Sequence, residues 1–410
     1  MSKQTYEVIV FGATSFVGQI LCQYLMDRFG LEGDLKWAAA GRSQTKLDSL
    51  KATLRGNAKA LPTLVADAAD EQALAELCKQ TSVVISTVGP YALYGEPLVK
   101  ACAESGTHYC DLTGEVQWIK RMVDRYEATA RASGARIVHC CGFDSIPSDL
   151  GVYFLQQQSQ QRFGAPCPRV KMRVKAAKGE FSGGTVASLM NVTKEAVASP
   201  ELRRELADPY SICPSSYPNL AKQPEITMAV HDEDFNSWLA PFIMSGINTR
   251  VVQRSNALAD QAYGESFQYD EAMLTGSGAK GMLAAYGISL GLGGFLVAAA
   301  LKPSRWALEK FVLPAPGEGP SPTVQENGYF DLRFMGCTSK GEKIRVKVTG
   351  DRDPGYGSTA KMLGEAGVCL AKDLASVESA GGFWTPATLM GEKLVERLQA
   401  HAGLTFEVLE

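Results

Sequence analysis

Tyr6-Glu-Val-Ile-Val-Phe-Gly-Ala-Thr-Ser-Phe-Val-Gly18, running into Gln19-Ile-Leu-Cys-Gln-Tyr-Leu-Met26, decides the fold. The first six residues are a β-prone apolar run. Ile20, Leu21, Tyr24 and Leu25 then recur at helical spacing. Between them lies a turn bounded by Gly12 and Gly18. Strand, glycine turn and helix in this order are the context a dinucleotide fingerprint requires. Gly12 permits the tight turn, and Gly18 lets the helix pack closely on the sheet. The amides that open the helix face a pyrophosphate. Thr14, Ser15 and Phe16 fill the turn and count with the two glycines as candidate cofactor-binding residues. Ser15 stands where a middle glycine is usual, so a side chain narrows the approach of phosphate to backbone. A buried strand–helix turn with no ligand is the plainer reading of the motif taken alone.

The next strand selects the cofactor. Leu35-Lys-Trp-Ala-Ala-Ala40 leads into Gly41-Arg42-Ser43 and Lys46. A site for NAD carries an acid at this strand end to hold the ribose hydroxyls, and here Arg42 takes its place. A guanidinium with a neighbouring serine hydroxyl and an ammonium suits a 2′-phosphate, which points to NADP(H). The plainer role for Arg42 is a solvated loop charge. Thr63-Leu-Val-Ala66 ends in Asp67, which has two roles open to it: contact with the adenine ring, or a cap for the helix starting near Asp70. Ser82-Val-Val-Ile-Ser-Thr-Val88 stops at Gly89-Pro90-Tyr91, where the chain passes the nicotinamide side of the crevice. Strands at 108–112 and 136–140 alternate with helices at 97–105 and 116–133. This alternation predicts an α/β fold: an N-terminal Rossmann, doubly wound parallel sheet over 1–148.

Beyond Asp149 the pattern changes. Arg169-Val-Lys-Met-Arg-Val-Lys175, Tyr329–Met335 and Lys343–Thr349 alternate apolar with polar residues and read as strands, the last two as a hairpin. They predict a second α+β substrate domain over 149–350, with residues 190–325 as an insertion between pairing strands, and a C-terminal segment over 351–410 that packs back on the first domain. Thr185 and Ser188 are candidates to line a substrate cleft or to cap a helix. Met282 to Leu301 carries no charge and is bracketed by Lys280 and Lys302. Three readings compete for it: a membrane span, a re-entrant or interfacial hairpin turning at Gly291-Leu-Gly-Gly294, or a buried helix pair or the wall of an apolar pocket.

The totals are those of a folded multidomain protein: 410 residues, 45% hydrophobic, 21% charged and a net charge of −3. Such a balance gives no reason to expect a global attraction to nucleic acid or to anionic lipid. The ten cysteines have no CxxC spacing and form no metal pattern with the four histidines. They read as reduced cytosolic thiols, and no metal site is expected. Residues 1–25 show no secretory pattern.

Several segments resemble the saccharopine dehydrogenase-like oxidoreductases, a family that includes trans-acting enoyl reductases. They are Val88-Gly-Pro-Tyr91 with Tyr94-Gly-Glu-Pro97, Gly106-Thr-His-Tyr-Cys-Asp-Leu-Thr-Gly-Glu115, Gly142-Phe-Asp-Ser-Ile-Pro-Ser-Asp149, Asp353-Pro-Gly-Tyr-Gly357 and Gly381-Gly-Phe-Trp-Thr-Pro386. The resemblance covers most of the chain and is weakest over 200–321. It implies NADP(H) binding and oxidoreductase chemistry. It does not fix saccharopine as the substrate, and no paired arginines stand ready for a dicarboxylate amino acid.

The nicotinamide of such a cofactor carries the hydride, so the protein must supply the proton. Candidates near the crevice are Tyr91, Tyr94, Glu96, Asp111, Glu115, Asp144 and Asp149, with Tyr91 and Asp144 as the leading catalytic residues. Three functions follow in order: NADPH-dependent reduction of a lipid-linked or other apolar substrate, including its C=C bond; an amino-acid dehydrogenase acting on a C–N bond; and a non-catalytic nucleotide-binding protein at a membrane or lipid surface. The expected partners are a small or lipid-linked substrate, a membrane surface through 282–301 and a second copy of the chain.

Overall fold

A computed structural model describes residues 5–179, 183–218, 221–311, 319–374 and 380–409. The first six strands are β1 (Tyr6–Phe11), β2 (Trp37–Gly41), β3 (Thr63–Val65), β4 (Thr81–Ser86), β5 (His108–Asp111) and β6 (Arg136–Val138). They pair in parallel in the order β6-β5-β4-β1-β2-β3. A sheet covered on both faces needs strands that are apolar on both sides, and β1 is such a strand. Val8 and Val10 join the core with Leu21 and Leu25 of the helix Phe16–Phe29, while Ile9 and Phe11 join the core with Leu74 and Leu98 from helices on the opposite face.

The second sheet contains β7 (Arg169–Lys178), β8 (Val230–Asp232), β9 (Ser237–Pro241), β10 (Gln268–Gly276), β11 (Tyr329–Cys337) and β12 (Lys343–Gly350). Its order is β12-β11-β7-β10-β9-β8, antiparallel except where β7 meets β10. The hairpin β11–β12 forms in register Phe330 opposite Gly350. The expected insertion over 190–325 needs correction, because β8, β9 and β10 are integral to the sheet. Their alternation is concealed by two buried acids in β10. Asp270 pairs with the buried guanidinium of Arg173 at 2.6 Å, and Glu271 accepts hydrogen bonds from Tyr269 and Asn248. Partnered in this way, acidic side chains occupy core positions that a hydrophobicity pattern assigns to solvent.

The last segment serves both sheets. β13 (Gly382–Trp384) extends the first sheet beside β6, and β14 (Leu404–Leu409) closes the second beside β12. The helix Thr359–Val368 packs on Phe16–Phe29. There the buried Glu365 accepts from Tyr24 Oη at 2.5 Å, Arg28 Nε at 2.9 Å and Arg397 Nε at 2.8 Å. One apolar core runs from β1 through the helix Ile146–Phe163 into the second sheet.

The uncharged stretch forms one continuous helix, Gly278–Ala300, which passes through Gly291, Gly293 and Gly294 without a turn. Both the hairpin and the buried-pair expectations are therefore corrected. Only Gly281, Ala285, Ser289 and Ala299 are buried, while Leu283, Leu290 and Val297 are each more than 60% exposed. The helix is joined directly to β10 at one end and returns through Lys302–Phe311 at the other, so an isolated turn in its middle has no packing role to fill.

Gly151 shows how tightly the shared core is set. A Cβ there would lie 2.3 Å from Phe334 Cζ of β11. Gly151→Ala is expected to lower stability by about 1–3 kcal/mol through overpacking, read as a shift of the urea midpoint at unchanged slope.

Candidate functional site

The turn after β1 has the geometry its glycines require. Gly12 has φ +85°, and a Cβ on it would meet Val88 Cγ2 at 2.6 Å. A Cβ on Gly18 would meet the Gly12 carbonyl oxygen at 2.3 Å, so the helix start can lie this close only with glycine. Ser15 is the N-cap. Its hydroxyl accepts from Gly18 N at 2.9 Å and shares a hydrogen bond with Thr87 Oγ1 at 2.9 Å. The serine thus tightens the turn and joins it to the end of β4. Among the described residues the amides of Thr14, Phe16 and Val17 have no acceptor, which leaves an anion-binding helix start. Phe16 turns edge-on to Tyr356, ring centroids 4.8 Å apart.

Arg42 follows β2, is exposed, and makes no hydrogen bond or ion pair with any described residue. Lys46 is likewise exposed in the first turn of the helix Gln44–Thr53. Ser43 caps that helix by accepting from Lys46 N, and its hydroxyl proton is left over for another acceptor. Two unengaged cations beside a capped helix start fit a 2′-phosphate. Asp67 is exposed and accepts from Ala69 N at 2.9 Å, while the cap of the helix Glu71–Cys78 is Asp70.

The loops after β4, β5 and β6 converge at the C-terminal edge of the sheet. Gly89 and Pro90 follow β4 and are joined by a cis peptide. Glu115 fixes the residues after them, accepting from Tyr91 N at 2.8 Å, Ala92 N at 2.9 Å and Ser188 Oγ at 2.9 Å. Burial raises its pKa above the usual carboxylate value, and the three donors oppose that shift. The expectation of Tyr91 as proton donor is corrected. Its ring is buried against Trp118, and its hydroxyl donates to the Ser86 carbonyl at 3.0 Å. Its proton is already committed, and burial pushes its pKa well above the ordinary phenol value.

The other acids are divided by their partners. Asp111 holds His139 Nδ1 at 2.7 Å, and Glu96 pairs with Arg125 at 2.6 Å. Asp149 accepts from Ser255 Oγ and from Ala387 N at 2.8 Å. Tyr94 is half exposed on the surface. Asp144 is different: it is half-buried, and no described side chain bonds to it. Its Oδ1 lies 3.6 Å from where a Cβ on Gly114 would sit, and its Oδ2 lies 3.1 Å from that of Gly142. Burial, with the Asp111 charge adding to it, pushes its carboxyl up to about 7.

A polar cluster beneath Asp144 was not legible in the sequence. Ser145 Oγ donates to Asn248 Oδ1 at 3.0 Å, and Asn248 Nδ2 donates to Glu271 Oε2 at 2.9 Å. Asn248 belongs to the helix Ser245–Leu258, which also brings Ile247 against Gly114 and so roofs the crevice with the second domain. A buried asparagine on an otherwise mixed helix gives no local signal. Ser188 does reach the crevice, through Glu115, while the side chain of Thr185 lies outside the described residues.

A doubly wound parallel sheet, with its ligand loops at the C-terminal edge and a mixed sheet roofing the crevice, defines a two-domain dinucleotide-dependent dehydrogenase architecture. Residues 8–138 match the family model of the saccharopine dehydrogenase NADP-binding domain. A Mycobacterium tuberculosis protein proposed to be a trans-acting enoyl reductase is 39% identical, covering 99% of this chain and 98% of its own length. The Mycobacterium ulcerans trans-acting enoyl reductase is 36% identical over 97% of this chain and 96% of its own. Apo saccharopine dehydrogenase from Saccharomyces cerevisiae shares the fold at a TM-score of 0.54, with 14% identity over 99% of this chain and 100% of that one. The chain belongs to the saccharopine dehydrogenase-like family of trans-acting enoyl reductases, and it binds NADP(H).

If Arg42 is the 2′-phosphate ligand, Arg42→Ala raises the Kd for NADPH by about tenfold or more and leaves that for NADH nearly unchanged, as loss of one charge-assisted bond requires. Fluorescence titration with both nucleotides reads the difference.

Proposed function

We propose that this chain reduces a carbon–carbon double bond conjugated to a carbonyl, in an apolar, lipid-linked substrate, with Asp144 delivering the proton. The observation that carries this reading is the carboxyl of Asp144, which lies beside Gly114 at the crevice, without a partner among the described side chains and holding its proton near neutrality. NADPH, when bound, supplies the hydride. Arg42, Ser43 and Lys46 hold its 2′-phosphate, and the amides of Thr14, Phe16 and Val17 hold its pyrophosphate. Gly89 and Pro90, kept in place through the Glu115 clamp, flank its nicotinamide side. Asp144 then gives its proton to the carbon that becomes anionic as the double bond is lost. Its partial exposure lets solvent restore that proton.

The names of the relatives support the double bond as the target. Two arginines argue against an amino-acid substrate. Arg250 and Arg254, on the helix that roofs the crevice, donate to the backbone carbonyls of Gly246, Leu206, Ile212 and Phe383. Their Nη groups are committed to these carbonyls, while the buried Nε of Arg250 has no acceptor among the described residues.

Stopped-flow loss of NADPH absorbance with enoyl thioesters of increasing chain length, and in reverse with amino acids and NADP+, tests the reading. Asp144→Asn is expected to lower kcat by about a hundredfold or more at unchanged NADPH affinity. In the wild type kcat falls as pH rises through about 7, because the donor must be protonated, and the Asn variant loses that limb. Turnover of amino acids alone, or an Asn variant as fast as the wild type, rejects the assignment.

A further inference from the structure

The helix Gly278–Ala300 is built inside out for a protein in water. A surface helix of a globular body turns its large apolar side chains inward and its small or polar ones outward. Here Gly281, Ala285, Ser289 and Ala299 face the body, while Leu283, Tyr286, Ile288, Leu290, Leu296 and Val297 face out. Ser289 satisfies its hydroxyl on the Ala285 carbonyl and asks nothing of water. At 100° per residue Leu283, Tyr286, Leu290 and Val297 form one stripe about 60° wide, and Ile288 and Leu296 border the buried face. Exposed Ala284, Gly287, Gly291 and Gly294 continue the uncharged surface from that stripe round to Ile288, an apolar girdle that hydrocarbon covers.

Charge is arranged to match. Between Glu271 and Glu309 there is no acidic residue, while Lys280, Lys302 and Arg305 stand at the two ends of the uncharged stretch. Trp306, on the return helix Lys302–Phe311, is 57% exposed. Cations and a tryptophan flanking an apolar band match anionic headgroups and the bilayer interface. Both ends of the excursion rejoin strands of one sheet, β10 and β11, so the helix cannot carry the chain across a bilayer.

We infer that Gly278–Ala300 embeds in one leaflet of an anionic bilayer and anchors the crevice there. The helix Gly183–Ala198 packs against it, and Ser188 of that helix bonds to Glu115 at the crevice. At the far end Gly319 lies against the Phe16 ring, beside the pyrophosphate turn. The inference goes beyond the proposed reaction and stands or falls separately from it, because its readout is partition and not turnover.

The test is flotation of the full-length chain with vesicles of phosphatidylcholine alone or mixed with phosphatidylglycerol, and NADPH binding verifies the fold. The wild type is expected to float with the anionic vesicles. The double variant Leu283→Glu/Leu290→Glu, altered only at exposed positions, loses more than about tenfold of that partition. Lys280→Gln loses up to about fivefold, on anionic vesicles only. Should the double variant fail to bind NADPH, quenching by brominated lipid decides: quenching of the wild type that is reduced in Trp306→Phe sustains the inference, and its absence ends it. Wild type left unbound overturns the proposal, and a dimer by light scattering in that case assigns the face to a second copy. Flotation undiminished in the folded double variant also overturns it.

Discussion

The arrangement of the crevice depends on one buried carboxylate. Asp149, near the start of the helix that links the two sheets, takes hydrogen bonds from Ser255 on the roofing helix and from the amide of Ala387 in the C-terminal segment. Ser255 in turn bonds Thr385 at 2.7 Å. Three pieces of chain far apart in sequence are thereby fixed to one point. A buried carboxyl without partners is costly, so these contacts hold only in one mutual arrangement of the three. That arrangement sets the helix Ser245–Leu258 over Gly114 and Ser145, and hence the height of the crevice above the parallel sheet.

A second constraint works at the nucleotide end. The helix Phe16–Phe29 lies so near the Gly12 carbonyl that no side chain fits at Gly18, and the same helix is tied to the C-terminal segment by the triply bonded Glu365. The pyrophosphate turn is thus braced on both sides: by Thr87 at the end of β4 through Ser15, and by a segment more than three hundred residues away through Glu365. Ser15, which looks like a loss for phosphate binding, is here a brace. Its hydroxyl is used inside the turn, while the neighbouring amides stay open.

The same economy sorts the acids. Asp111, Glu115 and Asp149 are all buried at the C-terminal edge, and each is spent on holding backbone or a histidine. Among the described residues Asp144 alone of the candidate acids at this edge has no side-chain partner, and burial leaves it the proton it needs to give away. Tyr91 and Asp144 are indistinguishable as sequence letters. They differ because the chain turns Tyr91 back under Ser86 and leaves Asp144 beside Gly114, its carboxyl in contact with the glycine.

The parallel sheet was legible from the residues because its signals are local: Val8 to Phe11 is apolar on both faces, Gly12 and Gly18 punctuate the turn, and Arg42 ends the second strand. A hairpin of alternating residues identified β11 and β12 for the same reason. What sequence alone could not decide was anything that depends on a distant partner. β10 hides as a strand because Asp270 is neutralised by Arg173 and Glu271 is satisfied by hydrogen bonds from Tyr269 and Asn248. The C-terminal segment divides between two sheets because edge strands take their partner from whatever backbone the fold leaves unpaired. The uncharged stretch was plain to read, but whether its large side chains point in or out is a matter of which face meets β9, and only the tertiary structure holds that contact.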